Sequence, residues 1–238
     1  MTAPRVFGRT PETRVRTLSS LADQYRAKPR TTGVRGQLGK ATLLLARELA
    51  TQGRWVPALT AVEEAIAASR TDDTRRRGMF QRMLAAALLD RADLLLSQVP
   101  EAAAGSADPA DDVEEALRLL GPWLTSRDQR YAWLVARACY LSGRVALAGR
   151  DLDTAGVRLP QALRIVAELG SHRHADAWVR RWCADLLRLV AEYRRLLGDP
   201  DAAALPARLS ARLAEAGSRQ EFARLAAEFP AVLAAAPR

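Results

Sequence analysis

Lysine is almost missing from this 238-residue chain: Lys28 and Lys40 are the only two, so 34 of the 36 basic residues are arginine. That bias reads as the codon usage of a GC-rich bacterial genome and says little about a role. Histidine is confined to His172 and His174, one Ser-His-Arg-His turn with only Asp176 nearby. Zinc asks for four ligands at defined spacing, so the turn reads as solvated and no metal is expected. The two cysteines, Cys139 and Cys183, have no CxxC partner and sit in apolar helical patterns. A disulfide framework is thereby excluded, and both read as small core hydrophobes in a reducing compartment. No apolar run is long enough to span a bilayer, and the arginine-rich start lacks an apolar segment behind it. A cytoplasmic protein with no membrane partner is the expectation.

Aromatics are also few, 5% of residues, although apolar residues reach 49%. The hydrophobicity therefore comes from Ala, Leu and Val, which suits close-packed helices better than sheets. Start and stop signals mark about ten helices and no sustained strand pattern. Thr10 as N-cap, Pro11 at the first helical position and Pro29 beyond the end bound a helix over 10–27. Arg30 to Gly36 reads as a linker, followed by helices over 36–52, 56–69, 78–98 and one from Pro109 to Gly121. Further helices are expected at 127–148, 152–169, 174–197, 201–216 and 218–235. The 78–98 helix is apolar nearly all round and should lie between neighbours. Residues 99–108, rich in small side chains, read as a loop.

The net charge of +9 is unevenly placed. Residues 1–40 hold nine basic groups, among them Arg5, Arg9, Arg14 and Arg16, against Glu12 and Asp23. The remaining chain holds 27 basic and 25 acidic groups. A basic N-terminal arm over 1–35, with one helix, is thus expected to precede a nearly neutral helical array over 36–238. Such an arm, with the Arg75–Arg77 turn, could meet nucleic acid phosphates. No reading helix or stacking motif accompanies it.

Internal repetition turns the helices into an architecture. Val62-Glu-Glu-Ala65 recurs as Val113-Glu-Glu-Ala116; a looser copy is Leu159-Pro-Gln-Ala162, and Ser210 lies one further step on, giving a period near 48. A small residue at a fixed place in every second helix lets its neighbour approach closely. Leu45, Ala46 and Leu49, then Gly53 and Trp55, then Ala58, Val62 and Ala65 resemble the tetratricopeptide repeat. Looser copies run Gly143, Ala146, Ala155, Leu159, Ala162 and Leu187, Val190, Ala191, Gly198, Ala203. Leu18, Leu21, Ala22 and Tyr25 resemble a lone first helix of the motif. The resemblance implies an all-α array of antiparallel helix pairs, an α-solenoid. Its departures are the period, near 48 where the family has about 34, and Pro160 and Pro206, which should kink or restart their helices. An antiparallel array without the family's superhelix is the alternative.

No phosphate-binding glycine loop, dinucleotide motif, nucleophile elbow or zincin motif occurs. Asp72-Asp73, Asp111-Asp112 and Glu114-Glu115 sit at helix ends and read as dipole and capping groups. Trp178 and Trp182 read as core, and Trp123 and Trp133 as pins around Gly121-Pro122. Neither an enzyme nor a cofactor is expected. In tetratricopeptide arrays the first helices line a concave groove that grips peptides. That resemblance assigns groove positions to Lys40, Leu43 and Arg47; to Arg137, Tyr140 and Arg144; and to Asp185, Arg188 and Glu192. The basic majority implies an acidic peptide or helix as partner. The expected function is a protein–protein adaptor, with a nucleic-acid-associated protein and an enzyme on a helical scaffold as alternatives.

Overall fold

The computed structural model describes residues 10–70, 77–97, 107–123, 129–170, 177–216 and 218–234. The fold is all-α: the described residues form eleven α-helices and one 3-10 turn, with no strand among them. The chain divides into two compact units, Met1–Leu120 and Gly121–Arg238. The first unit contains α1 (Pro11–Arg26), α2 (Thr32–Thr51), α3 (Trp55–Ser69), α4 (Arg77–Ser97) and α5 (Pro109–Leu120). The second begins with the 3-10 turn Gly121–Trp123. It continues with α6 (Gln129–Ala148), α7 (Leu152–Gly170), α8 (Ala177–Leu196), α9 (Pro200–Glu215), α10 (Arg219–Ala226) and α11 (Phe229–Ala234).

Division at Leu120 rather than at residue 35 follows from how α1 is held. Leu18 and Ala22 are buried, and Arg14 Nε donates to Glu48 Oε1 of α2 at 3.0 Å. Arg26 reaches α3, donating to both oxygens of Glu64. The helix is a layer of the first unit, not an arm beside it. Its start is as the sequence implies, with the Thr10 hydroxyl accepting from the Thr13 N–H and Pro11 in the first turn. The supposed linker is shorter than Arg30 to Gly36: the Thr31 side chain caps the Val34 N–H, and α2 starts at Thr32. Threonine supplied the cap signal; Gly33 and Gly36 masked it.

One turn recurs wherever a first helix passes to a second among the described residues. Arg54 N–H donates to Leu49 O and Gly53 N–H to Ala50 O, both at 3.0 Å. Asp151 N–H to Ala146 O (2.8 Å) and Arg150 N–H to Leu147 O (3.1 Å) repeat the scheme. So do Asp199 N–H to Arg194 O and Gly198 N–H to Arg195 O, at 3.0 Å. This 6→1 and 5→2 pairing is the Schellman motif, whose middle residue must be left-handed. Gly53, Arg150 and Gly198 indeed have φ of 72°, 59° and 78°. They stand 97 and 48 residues apart, two periods and one. The place for the missing turn, near residue 101, lies outside the described residues.

The repeated small positions are core. Val62, Ala65, Ala116, Leu159 and Ala162 are fully buried and Val113 nearly so, while Ser210 bonds the Ala184 carbonyl of α8 through its hydroxyl at 2.7 Å. Close approach is also visible in α6, where a Cβ on Gly143 would fall 2.5 Å from Leu159 Cδ2. In the first unit α4 packs on α2, α3 and α5, and Leu84 to Asp90 are buried without a gap. That is the all-round burial its composition implies.

First helices lie side by side. Along α2 and α4, a Cβ on Gly36 would meet Met79 at 3.4 Å, one on Gly39 would meet Met83 at 2.8 Å, and Arg47 pairs with Asp90 at 2.6 Å. Residue numbers rise together, so the two helices are parallel, as alternate members of an antiparallel series must be. In the second unit α6 and α8 are matched the same way through Trp133 to Trp182 and Tyr140 to Asp185.

The prolines do not restart their helices. Both α7 and α9 continue through Pro160 and Pro206. A proline at 206 has no N–H for the Ala202 carbonyl, but Arg194 Nη1 donates to that oxygen at 2.6 Å. Arg194 Nη2 donates to Val232 O of α11, so one buried guanidinium repairs α9 and ties down the C-terminal helix. Helix 218–235 is instead two, α10 and α11, because Pro230 is tolerated only in a first turn and Phe229 begins a new helix there.

Candidate functional site

In the first unit the exposed line of α2 is Gln37, Lys40, Leu44, Arg47 and Thr51, at spacings of three and four. Leu43, the residue the resemblance assigned to the groove, is buried. Leu44 beside it is 42% exposed and belongs to the exposed line instead. A Leu-Leu-Leu run hides which member faces out. Spacing does not decide it: Leu43 lies three residues after Lys40 and four before Arg47, Leu44 four after and three before, and both spacings suit one helical face. Lys40 is exposed. Arg47 is half-exposed and donates to buried Asp90 of α4, so part of its charge is spent inside the unit. Met79, on α4 beside the start of α2, is 44% exposed.

In the second unit the assigned positions converge, but on each other. Tyr140 is buried and its hydroxyl donates to Asp185 of α8. Arg188 is exposed and bonds Asp185 at 2.7 Å and Glu192 at 3.4 Å. Burial works against the Arg188 charge, yet the bonds to Asp185 and the nearby carboxylates leave its pKa raised. Trp182 stands edge-to-face with both Trp133 (centroids 5.8 Å) and Tyr140 (5.5 Å). Trp133 therefore braces α6 on α8 instead of pinning the 121–122 break, where Trp123 stacks on Tyr131 at 4.3 Å. Arg137 and Arg144 are half-buried on α6. Tyr140 and Asp185 thus join α6 to α8 while Arg188 holds Asp185 from within α8, and Tyr140 offers a partner almost no surface.

Of the basic-arm residues, Arg14 is held by Glu48 and Arg16 is exposed on α1. Arg5, Arg9, Arg75, Arg76, His172, His174 and most of the 99–108 loop lie outside the described residues, as does the Trp178 side chain. Among the described residues no group of three or more His, Cys, Asp or Glu is placed to hold a metal, and no helix is long and apolar enough to cross a membrane. Burial pushes the Cys139 thiol up to about 11 and Cys183 higher still, so neither is a ready nucleophile.

Sequence reading missed one buried charge pair. Asp112, taken as a dipole group at a helix start, is buried and accepts from Arg91 Nε at 2.7 Å and Nη2 at 2.5 Å. The hydrogen bonds to Asp112 hold the Arg91 pKa above its ordinary value, with Glu63 and Glu115 adding to the field. Glu115 in turn accepts from Arg70 at 2.9 Å. These acids cross-brace α3, α4 and α5. Comparison with family models, with curated proteins and with solved structures finds no match to this chain.

Proposed function

We propose that this chain is a non-catalytic, cytoplasmic protein–protein interaction scaffold of the tetratricopeptide-like kind. It holds a segment of a partner protein, acidic in character, against the exposed faces of its first helices. The observation that carries the reading is the turn repeated at Gly53, Arg150 and Gly198, with parallel first helices beside it in each unit. A unit built this way presents the same face of successive helices on one side, which suits an extended or helical peptide. The docking line favoured is Lys40, Leu44 and Arg47 of α2, because it combines an exposed apolar side chain with positive charge. The reading requires no cofactor.

A photo-crosslinking residue at position 44 should trap a discrete partner, and the same probe at exposed Arg164 on α7 should not. Lys40→Glu combined with Leu44→Asp should then abolish association with the identified partner while circular dichroism and melting temperature stay unchanged. Equal labelling from positions 44 and 164, or undiminished association of the double variant, would refute the docking line. Arg70 is unsuitable as a control, since its reversal breaks the bond to Glu115.

A further inference from the structure

The first unit has a cleft of about 470 Å³ between α1, α2 and α3, on a different side of α2 from the Leu44 line. Tyr25, Val34, Leu38, Ala67 and Ala68 make its apolar walls. Its size falls in the range of ordinary ligand sites, roughly 300–1,000 Å³. Among the described residues Glu64 is the one acid lining it, and both Glu64 oxygens are occupied by Arg26, at 2.7 and 2.5 Å. The other charges here are positive. Lys28 lies over the Tyr25 ring, 5.0 Å from its centroid. Arg30 is exposed on the connection between α1 and α2, and Arg35 donates only to neutral carbonyls of α3, Ala67 O and Arg70 O. None of Lys28, Arg30 and Arg35 has an acidic partner among the described residues.

Three uncompensated cations around an apolar cleft fix the chemistry of what fits. We infer that the α1–α2–α3 cleft is a docking site for an acidic peptide segment of a partner protein. An apolar side chain of that segment enters between Tyr25 and Leu38, and its flanking carboxylates meet Lys28, Arg30 and Arg35. The inference rests on the protein-binding reading above but assigns it a second site. A bare polyanion gains only the charge term, which salt screens. Nucleic acid finds aliphatic walls and one aromatic ring already covered by a cation, so stacking does not help it. The apolar side chain is what distinguishes the proposed ligand.

Fluorescence anisotropy with a labelled short peptide alternating Leu and Glu tests this, against an oligo-glutamate peptide and a single-stranded DNA oligonucleotide. The Leu–Glu peptide should bind the full chain at least about tenfold tighter than either control, a difference of about 1.4 kcal/mol. Lys28→Glu with Arg30→Glu, both exposed and outside the core, should weaken it by about tenfold or more. Leu38→Trp, which fills the cleft, should weaken it as much, with the fold checked by circular dichroism. Lys40→Glu with Leu44→Asp should leave it unchanged. Equal binding of all three probes would overturn the inference, as would no binding by the Leu–Glu peptide or insensitivity to Lys28→Glu/Arg30→Glu. Loss of peptide binding in the Leu44 variant alone would overturn the cleft while leaving the first-helix reading standing. Retained peptide binding with no partner crosslinked at position 44 would do the reverse.

Discussion

Replacing Arg194 by methionine keeps the apolar stem and removes the guanidinium that serves two carbonyls. Arg194 is 3% exposed; Val232 O is buried and cannot readily turn to water, and Ala202 O is half-buried. Hydrogen bonds to a charged group contribute about 1.5–3 kcal/mol each, and an orphaned buried acceptor carries a desolvation penalty of about 1–3 kcal/mol. Loss of both bonds should therefore destabilise the second unit by about 3–5 kcal/mol. The Ala202 carbonyl lacks a helical partner only because residue 206 is proline. In a Pro206→Ala background the new N–H of residue 206 can donate to Ala202 O, and Arg194→Met then leaves one carbonyl unserved. The cycle should thus show a coupling of about 1–2 kcal/mol between positions 194 and 206, although neither side chain replaces the other. Urea unfolding followed by tryptophan fluorescence measures it, because Trp123, Trp133, Trp178 and Trp182 all lie in the second unit and only Trp55 does not. Additivity of the two substitutions within about 0.5 kcal/mol would refute the repair role. So would a cost of Arg194→Met below about 1 kcal/mol, the size expected for an exposed arginine.

Arg150 holds the left-handed position that glycine fills at 53 and 198. A left-handed non-glycine residue is strained by about 1–2 kcal/mol, and glycine gives back part of that in chain entropy. Arg150→Gly should therefore stabilise by about 0.5–1 kcal/mol in urea unfolding; a destabilised variant would contradict the turn assignment. Ala65→Leu and Ala116→Leu each overpack a site with no exposed surface and should destabilise by about 1–3 kcal/mol, a prediction that two neutral variants would sink. Asp151 caps α7, and the Thr154 hydroxyl and N–H hold its carboxyl below the usual carboxylate range. A depressed folded pKa means its stabilisation is fully present above the ordinary aspartate value of about 3.9 and is lost as pH falls through the lower folded value. Asp151→Asn should remove that part of the acid limb of the stability curve, and superimposable limbs would refute the cap.

Much of the fold is written locally. Thr10-Pro11, Gly53, Gly121-Pro122 and Gly198 punctuate helices through backbone preferences that act over a few residues, so their positions could be read without tertiary information. Val62 and Ala65, with their copies at Val113 and Ala116, announced buried second helices, because a small residue at fixed phase has a packing meaning wherever it recurs. The candidate docking line was legible only to within one residue. Lys40 and Arg47 lie on the exposed face of α2, but Leu43 and Leu44 are indistinguishable by composition and by spacing, and only packing of α2 on its neighbours turned Leu44 outward. What lay beyond the sequence was every pairing between groups far apart along the chain. Arg91 with Asp112, Tyr140 with Asp185 and Arg194 with a carbonyl freed by Pro206 each join helices 8–45 residues apart. Local propensity carries no information about such partners. The burial that makes these bonds strong exists only once the helices have packed, so the sequence by itself determined which helices form, and the tertiary structure decided which of their charges are spent inside and which remain for a partner.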